Sequence, residues 1–352
     1  MNKLSCWTAL LVGACTSVPQ DETPSFDNRF AAHIMPNSIT DGGYIDSTFI
    51  NRAGDRIYFL HTIYSPSVLS GQSSVKQCAH VQAKHLPGHT TTTGVEWNTD
   101  LYYVGWDGVE WSEPVNLGPS INTLGMECCV WLNDDETEII FNTVSDLDGD
   151  GVDEDLGLRP TGNYRATRSN RDTQWDVPQP MPGLYGIQSQ GTDHYRHDIH
   201  KAPSGDLYLW EQTTQDDQLL VYGECVDDCD GEPSYADPVN IVNTTNYETQ
   251  IWVDDTETRM VFNHRQANGE TELYTRQRPT ITDAWEPSTT IPTPGFADSN
   301  GSNIWGEPSF DASQSFMLLT RFNTADSDCW TPDLIVSEID ASGDFQPPII
   351  IN

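Results

Sequence analysis

Five segments of the chain repeat one pattern of hydrophobic and polar positions. Each segment begins at an acidic residue, continues through alternating apolar positions, passes a polar turn and ends in a second apolar run. The copies span residues 46–59, 127–141, 198–210, 248–262 and 307–319. Because the side chains of a strand alternate between its two faces, each copy predicts two antiparallel strands joined by a tight turn.

A third apolar run follows each copy, and beyond it an aromatic residue precedes a proline. These aromatic and proline segments lie at residues 111–114, 175–178, 235–238, 285–287 and 345–347. Three or four short antiparallel strands, repeated along a chain, are the unit from which a β-propeller is built. The pattern therefore predicts an all-β fold consisting of a single β-propeller.

The two ends of the chain each match a part of this repeat. Residues 345–352 match its middle, as in 111–118, and residues 34–40 match the remainder, as in 117–123. Together the ends complete one unit, so five blades of antiparallel sheet is the simplest count. We expect the ring to be closed by the N- and C-terminal segments, with Pro36 and Pro347 near each other.

Residues 111–127, followed by 133–141, carry a Trp-x-x-Pro step, an Ile-Asn step, an acidic residue, an Asp-rich turn and an apolar strand. This order resembles the WD-like β-propeller repeat of TolB-type periplasmic proteins. The resemblance covers most of residues 34–352, in copies of varying length. It implies the propeller fold and leaves the function open, because propellers host binding, scaffolding and several enzymatic chemistries.

The N-terminal residues predict export. A short basic start and an apolar stretch lead to Leu-Val-Gly-Ala-Cys at residues 11–15, which resembles a bacterial lipobox with Cys15 as the lipidated residue. The alternative is an ordinary signal peptide with a chance cysteine. We divide the chain into a lipoprotein signal peptide (1–14), a flexible tether (15–28) and the propeller domain (29–352). This predicts an exported protein, lipid-anchored to the bacterial envelope at the outer membrane, on its periplasmic or surface side.

The charge of the chain restricts its partners. Asp and Glu number 53 against 17 Lys and Arg, giving a formal net charge of −36 that is spread along the whole sequence. Such a surface repels phosphate backbones and argues against a nucleic-acid partner. We expect a protein or glycan partner at the cell envelope, and contact with the membrane through the lipid anchor alone.

Cysteine usage agrees with an oxidising compartment. Outside the signal peptide and the lipidation site, the chain has Cys78, Cys128, Cys129, Cys225, Cys229 and Cys329. Cys225 and Cys229 are close enough in sequence to form a local disulfide. Cys128 and Cys129 are adjacent on an inner strand, so alternation points them to opposite faces and predicts separate partners. A vicinal bridge between them is the alternative.

An acidic loop is the first candidate for bound metal. The loop at 146–155 contains five aspartates, which are Asp146, Asp148, Asp150, Asp153 and Asp155. The first three occupy every second position before a glycine. This is the spacing at which a tight loop places oxygen ligands around calcium. The last two are candidates for completing the shell. The alternative is a solvated acidic turn, since the bidentate glutamate of an EF-hand is missing.

A histidine group is the second candidate. His194, His197 and His200 lie with two carboxylates at the start of the third repeat, and imidazoles are ligands for transition metals such as zinc, copper or manganese. In an extended strand, however, His197 and His200 lie on opposite faces. Surface or packing histidines are therefore the favoured interpretation, and a transition-metal site is the alternative.

The acids that begin the five copies are the third candidate group, consisting of Asp46, Glu127, Asp198, Glu248 and Glu307. In a closed propeller they converge on the central channel, where five-bladed glycoside hydrolases place their catalytic carboxylates. Recurrence of the same acid in every copy argues instead for a structural role, such as accepting backbone N–H groups of a neighbouring blade. We expect no catalytic residue among them, with catalysis as the alternative.

These observations predict a non-catalytic binding or scaffolding propeller lipoprotein at the bacterial cell envelope, stabilised by calcium. The alternative is a glycan-active hydrolase or lyase with its site at the propeller mouth. Asymmetry among the channel acids favours the enzyme, because catalysis needs an acid and a base with different environments. A symmetric, plugged channel favours the binding protein.

Overall fold

The structure is a computed structural model of the 352-residue chain. It describes residues 28–30, 34–36, 39, 43–63, 85–90, 98–145, 159–181, 184, 194–213, 217–222, 239–242, 247–265, 271–292, 304–323 and 331–351. Within these residues no helix has the length and apolar character needed to cross a membrane.

The described strands form five antiparallel sheets of four strands each, after a short 3₁₀ helix at Asn28–Phe30. The first sheet contains β1 (Tyr44–Ile50), β2 (Arg56–Thr62), β3 (Asp100–Gly105) and β4 (Val115–Asn116). The second contains β5 (Met126–Leu132), β6 (Glu138–Val144), β7 (Gly162–Thr167) and β8 (Gln179–Pro180). The third contains β9 (His194–Lys201), β10 (Leu207–Thr213), β11 (Asp217–Tyr222) and β12 (Val239–Val242).

The fourth sheet contains β13 (Tyr247–Val253), β14 (Arg259–Arg265), β15 (Thr271–Gln277) and β16 (Thr289–Thr290). The fifth contains β17 (Ile304–Phe310), β18 (Phe316–Asn323), β19 (Thr331–Glu338) and β20 (Ile349–Ile350). In every sheet the strands pair in chain order, so the first strand is one edge and the short fourth strand is the other. The first two strands of each sheet are the hairpin that the repeat predicts.

The first strands of the sheets surround a common axis. β1 contacts β5, β5 contacts β9, β9 contacts β13, β13 contacts β17, and β17 returns to contact β1. The sheets therefore radiate from the axis like the blades of a propeller. The prediction of an all-β fold with a single β-propeller is confirmed.

Apolar side chains fill the five junctions between neighbouring sheets. Buried pairs that represent the junctions in chain order are Leu60 with Phe141, Ile140 with Leu209, Tyr208 with Phe262, Val261 with Met317, and Val336 with Phe59. Burial of apolar area of this kind contributes about 25 cal/mol per Å². The core is thus divided among the sheet junctions, and the axis itself is left to the first strands.

The two ends of the described chain meet at the junction of the fifth and first sheets. The backbone N–H of Met35 donates to the carbonyl of Ile351 (2.9 Å), and the N–H of Ile351 donates to the carbonyl of Leu334 (2.9 Å). Ile351 is fully buried in the apolar cluster of this junction. The contact agrees with the expected proximity of the chain ends near Pro36 and Pro347.

One residue of each first strand has a left-handed backbone conformation that interrupts regular pairing. These residues, called the bulge residues below, are Ser47 (φ 54°), Cys129 (φ 61°), Asp198 (φ 51°), Gln250 (φ 50°) and Glu307 (φ 57°). The pairing register with the second strand shifts at or beside each of them. A bulge adds a residue to one strand and redirects the side chains around it.

The bulge explains a wrong prediction about the adjacent cysteines. Cys128 and Cys129 form a disulfide with each other, so separate partners for them are ruled out and the vicinal alternative is observed. Strand alternation would send their side chains to opposite faces, but the positive φ of Cys129 breaks that alternation. Cys78, Cys225, Cys229 and Cys329 lie outside the described residues, and the predicted Cys225–Cys229 bridge stays a prediction.

Candidate functional site

The bulge residues line a small cavity of about 50 Å³ at the axis of the ring. Each is followed by a second residue that also lines it, and the group includes the disulfide sulfur of Cys129 and the carboxylates of Asp198 and Glu307. Because the five side chains differ, the cavity has a different chemical group on each wall. The described residues at the axis are therefore not related by five-fold symmetry.

The predicted equivalence of the five acids is wrong. Asp198 and Glu307 are bulge residues, and Asp46 lies one position before the bulge residue of its strand. Glu127 and Glu248 each lie two positions before it. The bulge interrupts simple alternation at these positions, and the acids separate into an axial group and two outliers.

The two outliers are engaged away from the axial cavity. Glu127 accepts hydrogen bonds from the hydroxyl (2.6 Å) and the backbone N–H (3.1 Å) of Thr123, and burial raises its pKa to about 7. Glu248 lies 3.1 Å from Nδ1 of His264, the nearest ring nitrogen. Both contacts serve the local fold and leave the axial group with three carboxyl groups.

The charge of Asp198 affects the axial carboxyl groups of Asp46 and Glu307, which also affect each other. Burial raises the pKa of Glu307 well above its usual range, and the negative charges of Asp46 and Asp198 raise it further. Burial also raises the pKa of Asp46, to about 6; hydrogen bonds from the Ser47 backbone and the Tyr44 hydroxyl (2.9 Å) oppose this rise, while the charge of Asp198 adds to it. Burial and mutual repulsion thus raise the pKa of both Asp46 and Glu307, and the rise is larger for Glu307.

Hydrogen bonds between neighbouring sheets hold Glu307 in place. Its Oε2 accepts the backbone N–H of Thr48 (2.6 Å), and its own N–H donates to Oε1 of Gln250 (3.0 Å). Gln250 Oε1 in turn accepts from the Asn263 amide (2.5 Å). For Glu307, the expected structural contact with a backbone N–H of a neighbouring blade is present alongside the perturbed pKa.

One group of side chains among those described has the spacing of metal ligands. Sγ of Cys129 and one carboxylate oxygen each of Asp198 and Glu307 all lie within 4.8 Å of one another. The three atoms come from the second, third and fifth sheets. Sγ of Cys129 also lies 4.0 Å from the hydroxyl of Ser47 in the first sheet.

The histidine group does not supply this arrangement. His200 lies between two indoles, with ring centroids 6.5 Å from Trp131 and 6.3 Å from Trp252. Burial lowers its pKa to about 4, so it is neutral and acts as a packing residue. The side chains of His194 and His197 lie outside the described part of the structure, as do the acidic loop 146–155 and Cys15.

A larger cavity of about 510 Å³ lies at the hairpin turns that join the first and second strands. The aromatic side chains of Phe49, Trp131, Trp252 and Phe310 contribute to its wall. Arg52 extends from the first sheet, where its guanidinium pairs with Asp134 of the second sheet (3.2 Å) and with Asp255 of the fourth. The cavity thus combines an aromatic wall with a charged rim on which acidic residues outnumber basic ones.

Sequence reasoning missed Ser47, Cys129 and Gln250 as axial residues because it aligned the copies on their first acid. A better reference is the residue whose carbonyl accepts the turn hydrogen bond of each hairpin. These turn residues are Asn51, Asn133, Ala202, Asp254 and Asp311. In all five copies the bulge residue lies four positions before the turn residue. Alignment on the turn would have placed all five on the axis.

Comparison with known proteins yields similarity of fold. No family model and no curated protein matches the chain. Among solved structures it is similar to TolB from Acinetobacter baumannii, with 10% identity, TM-score 0.45, and coverage of 87% of this chain but only 57% of that chain. It is similar to RS223-β-xylosidase, with 11% identity, TM-score 0.48, and coverage of 91% of this chain and 98% of that one.

It is also similar to the catalytic domain of the Coprinopsis cinerea GH62 α-L-arabinofuranosidase, with 9% identity, TM-score 0.45, and coverage of 87% and 96% of the two chains. The resemblance to TolB-type propellers is thus found again at the level of the fold. Identities and TM-scores this low carry no argument about function.

Proposed function

We propose that the protein is a glycan-active hydrolase whose reacting groups are Asp46, Asp198 and Glu307. The observation that carries the proposal is the convergence of three carboxyl groups from three sheets, one of which, Glu307, is buried beside the negative charges of the other two. Cleavage of a glycosidic bond needs a protonated acid beside the leaving oxygen and an ionised carboxylate that acts as base or nucleophile.

The surroundings of each axial carboxyl group indicate its role in the reaction. Glu307 is the general acid, since burial and two neighbouring negative charges raise its pKa well above the usual range of a glutamate. Asp46, with a pKa of about 6, is ionised at pH 7 and is the base that activates water. The negative charge of Asp198 raises the pKa of both Asp46 and Glu307. Asp46 and Glu307 lie close enough for each to influence the pKa of the other.

The size of the axial cavity limits what can enter it. A volume of about 50 Å³ is enough for a glycosidic oxygen and a water molecule, since a water occupies about 30 Å³ in the liquid. The sugar rings themselves must bind outside the cavity. The proposal therefore requires a polymer or oligosaccharide whose linkage reaches the three carboxyl groups.

The experiment is a panel of polysaccharides and aryl-glycosides incubated with the purified protein. We expect turnover that falls by about 10²–10⁴-fold in Glu307→Gln and in Asp46→Asn. Glu248→Gln is the matched control, because Glu248 begins an equivalent repeat but contacts His264 instead of the axial group. Absence of turnover on the whole panel, or equal loss in the control, contradicts the hydrolase.

A binding protein is the second candidate, and the larger cavity favours it. Concave sites with aromatic walls and a few polar groups are typical of small-molecule and glycan recognition. In this case the same panel yields binding without turnover, and Phe310→Ala weakens that binding, since Phe310 lines the larger cavity and not the axial one. A loss of binding in Glu307→Gln but not in Phe310→Ala would exclude the larger cavity as the binding site.

We also propose that the five sheets are the five blades of a ring closed by the chain termini. Contacts of β17 with β1 and the Met35–Ile351 hydrogen bond support this count. Deletion of residues 349–352 tests it, because a closed ring should lose stability over the whole chain rather than in the fifth sheet alone. Amide exchange that changes only in the fifth sheet would contradict closure.

Two further proposals come from the sequence and fall on residues outside the described part. The first is lipid anchoring through Cys15 at the bacterial envelope, which fatty-acid labelling of wild type against Cys15→Ser tests. The second is calcium at Asp146, Asp148 and Asp150. Calcium should raise the melting temperature of wild type and leave that of the Asp148→Ala/Asp150→Ala variant unchanged.

A further inference from the structure

The vicinal disulfide forms one wall of the axial cavity, and its two sulfurs face different surroundings. Sγ of Cys129 lies in the group with Asp198 and Glu307, at the axis. Sγ of Cys128 lies 3.9 Å from Oδ1 of Asn142 in the same sheet, and its side chain packs against the apolar cluster between the first and second sheets. Opening the disulfide would therefore leave a free thiol of Cys129 directly beside two carboxyl groups.

We propose that reduction of the Cys128–Cys129 disulfide creates a zinc site at the ring axis, with Cys129, Asp198 and Glu307 as ligands. The three ligand atoms already lie within 4.8 Å of one another. Bonds of about 2.3 Å to sulfur and about 2.0–2.2 Å to oxygen place ligand atoms roughly 3.5 Å apart around a tetrahedral ion. Small side-chain movements are enough to bring the three ligand atoms to this separation.

The redox step balances with a dithiol as the reductant. Two electrons and two protons pass from the dithiol to the protein, the S–S bond breaks, two thiols form, and the reductant becomes a disulfide. Zinc then displaces the thiol proton of Cys129, because the thiolate is the form that binds metal. In the oxidised protein the sulfur carries no such charge, so the site lacks its third anionic ligand.

The donor set favours zinc over calcium or magnesium. A thiolate is a soft ligand that suits zinc, whereas the two alkaline-earth ions take oxygen ligands. Three protein ligands leave a fourth position for water, for which the cavity of about 50 Å³ has room. The ion would also neutralise the negative charge that the axial carboxylates bring together.

This inference does not depend on the hydrolase proposal, although both use Asp198 and Glu307. Zinc bound to Glu307 would occupy the oxygen that has to hold the catalytic proton. If both proposals hold, reduction with zinc present stops turnover and reoxidation restores it. Metal binding is measured on the protein without any substrate, so failure of one proposal leaves the other intact.

The test compares zinc binding by two single cysteine variants of the full chain. Both Cys128→Ser and Cys129→Ser lose the disulfide, so they are matched in its structural effect. Cys128→Ser keeps the axial thiol, and we expect it to bind about one more zinc per chain than Cys129→Ser without any reductant. Cobalt in place of zinc should give the near-ultraviolet thiolate charge-transfer band in Cys128→Ser alone. Equal zinc content and equal cobalt spectra in the two variants would overturn the proposal.

A second comparison covers the case in which these variants do not fold. Wild-type protein is reduced with a dithiol, freed of the reductant without oxygen and titrated with zinc beside the oxidised protein. The Asp198→Asn variant, which keeps all cysteines, is reduced and titrated with zinc in the same way. We expect the reduced wild type to bind about one more zinc than reduced Asp198→Asn. Equal binding by these two reduced proteins excludes the axial site, since the other cysteines are common to both.

Discussion

At the scale of the residue, environment separates acids that look alike in the sequence. Glu127 and Glu307 both begin a repeat, yet Glu127 accepts two hydrogen bonds from Thr123 while Glu307 faces two other carboxyl groups. Burial raises the pKa of each, but only Glu307 also experiences the negative charge of an axial partner as a leading cause. The difference arises from position relative to the bulge and not from residue type.

The raised pKa values predict a bell-shaped pH dependence of turnover. Activity should increase with pH through about 6, as Asp46 loses its proton, and decrease at higher pH, as Glu307 loses its own. Asp198→Asn removes the negative charge that raises both pKa values, so both limbs should move to lower pH. Initial rates of turnover between pH 4 and 9 measure the pH dependence of wild type and of Asp198→Asn. If the two proteins have the same pH dependence, the roles assigned to Asp46 and Glu307 are wrong.

The same groups make a prediction about stability. Asp46 has a folded pKa above its unfolded value of 3.8, so the folded state binds more protons between these values and stability declines as pH rises through that window. Asp46→Asn should therefore raise the free energy of unfolding at pH 8, by on the order of 1 kcal/mol, with little gain at pH 4. Thermal denaturation at both pH values measures it, and an equal shift at the two would contradict the linkage.

At the scale of the element, each first strand is defined by its bulge and by the turn that follows it. In the second sheet, Oδ1 of Asn133 accepts the backbone N–H groups of Thr137 (2.9 Å) and Glu138 (2.8 Å). Asn51 and Asp254 make the equivalent pair of bonds in the first and fourth sheets. An Asx side chain at this position satisfies two N–H groups of the tight turn, which explains why Asn and Asp recur there.

Removing this acceptor should weaken the second hairpin. Asn133→Ala leaves two turn N–H groups without their side-chain partner, and we expect a loss of about 1–2 kcal/mol in the free energy of unfolding. Asn133→Asp keeps the acceptor, as Asp254 does naturally, and serves as the control. Denaturant unfolding of wild type, Asn133→Ala and Asn133→Asp measures the free energy of unfolding. Equal destabilisation by the two substitutions would mean that the side-chain hydrogen bonds of Asn133 do not contribute to stability.

At the scale of the whole molecule, stability depends on contacts between sheets. The five junctions carry the apolar clusters, and buried ion networks join some of them. Glu136 of the second sheet accepts from the Tyr58 hydroxyl and the Asn51 amide of the first, and Arg168 donates to its carbonyl. Each sheet depends on its neighbours, so the ring is expected to unfold as a unit.

Ile351 tests this cooperativity at the junction of the chain ends. Ile351→Ala removes a fully buried side chain between the fifth and first sheets and should cost about 2–5 kcal/mol. Ile349→Ala, at a half-buried position of the adjoining strand β20, should cost less. Calorimetry should show one transition at lower temperature for Ile351→Ala. A second transition confined to part of the molecule would instead mean that the sheets unfold independently.

The sequence by itself determined the class of fold, because alternating apolar positions and recurrent turn residues act locally and repeat five times. It also supplied the acids, the cysteine pair and the aromatic residues of the site. It did not determine which of them meet. A left-handed residue four positions before each turn interrupts the alternation that the sequence pattern predicts, and only contacts between the first strands of different sheets bring Cys129, Asp198 and Glu307 within 4.8 Å. Residues 69 and 109 positions apart in the chain become neighbours because packing between sheets, which has no local signature, sets their distance.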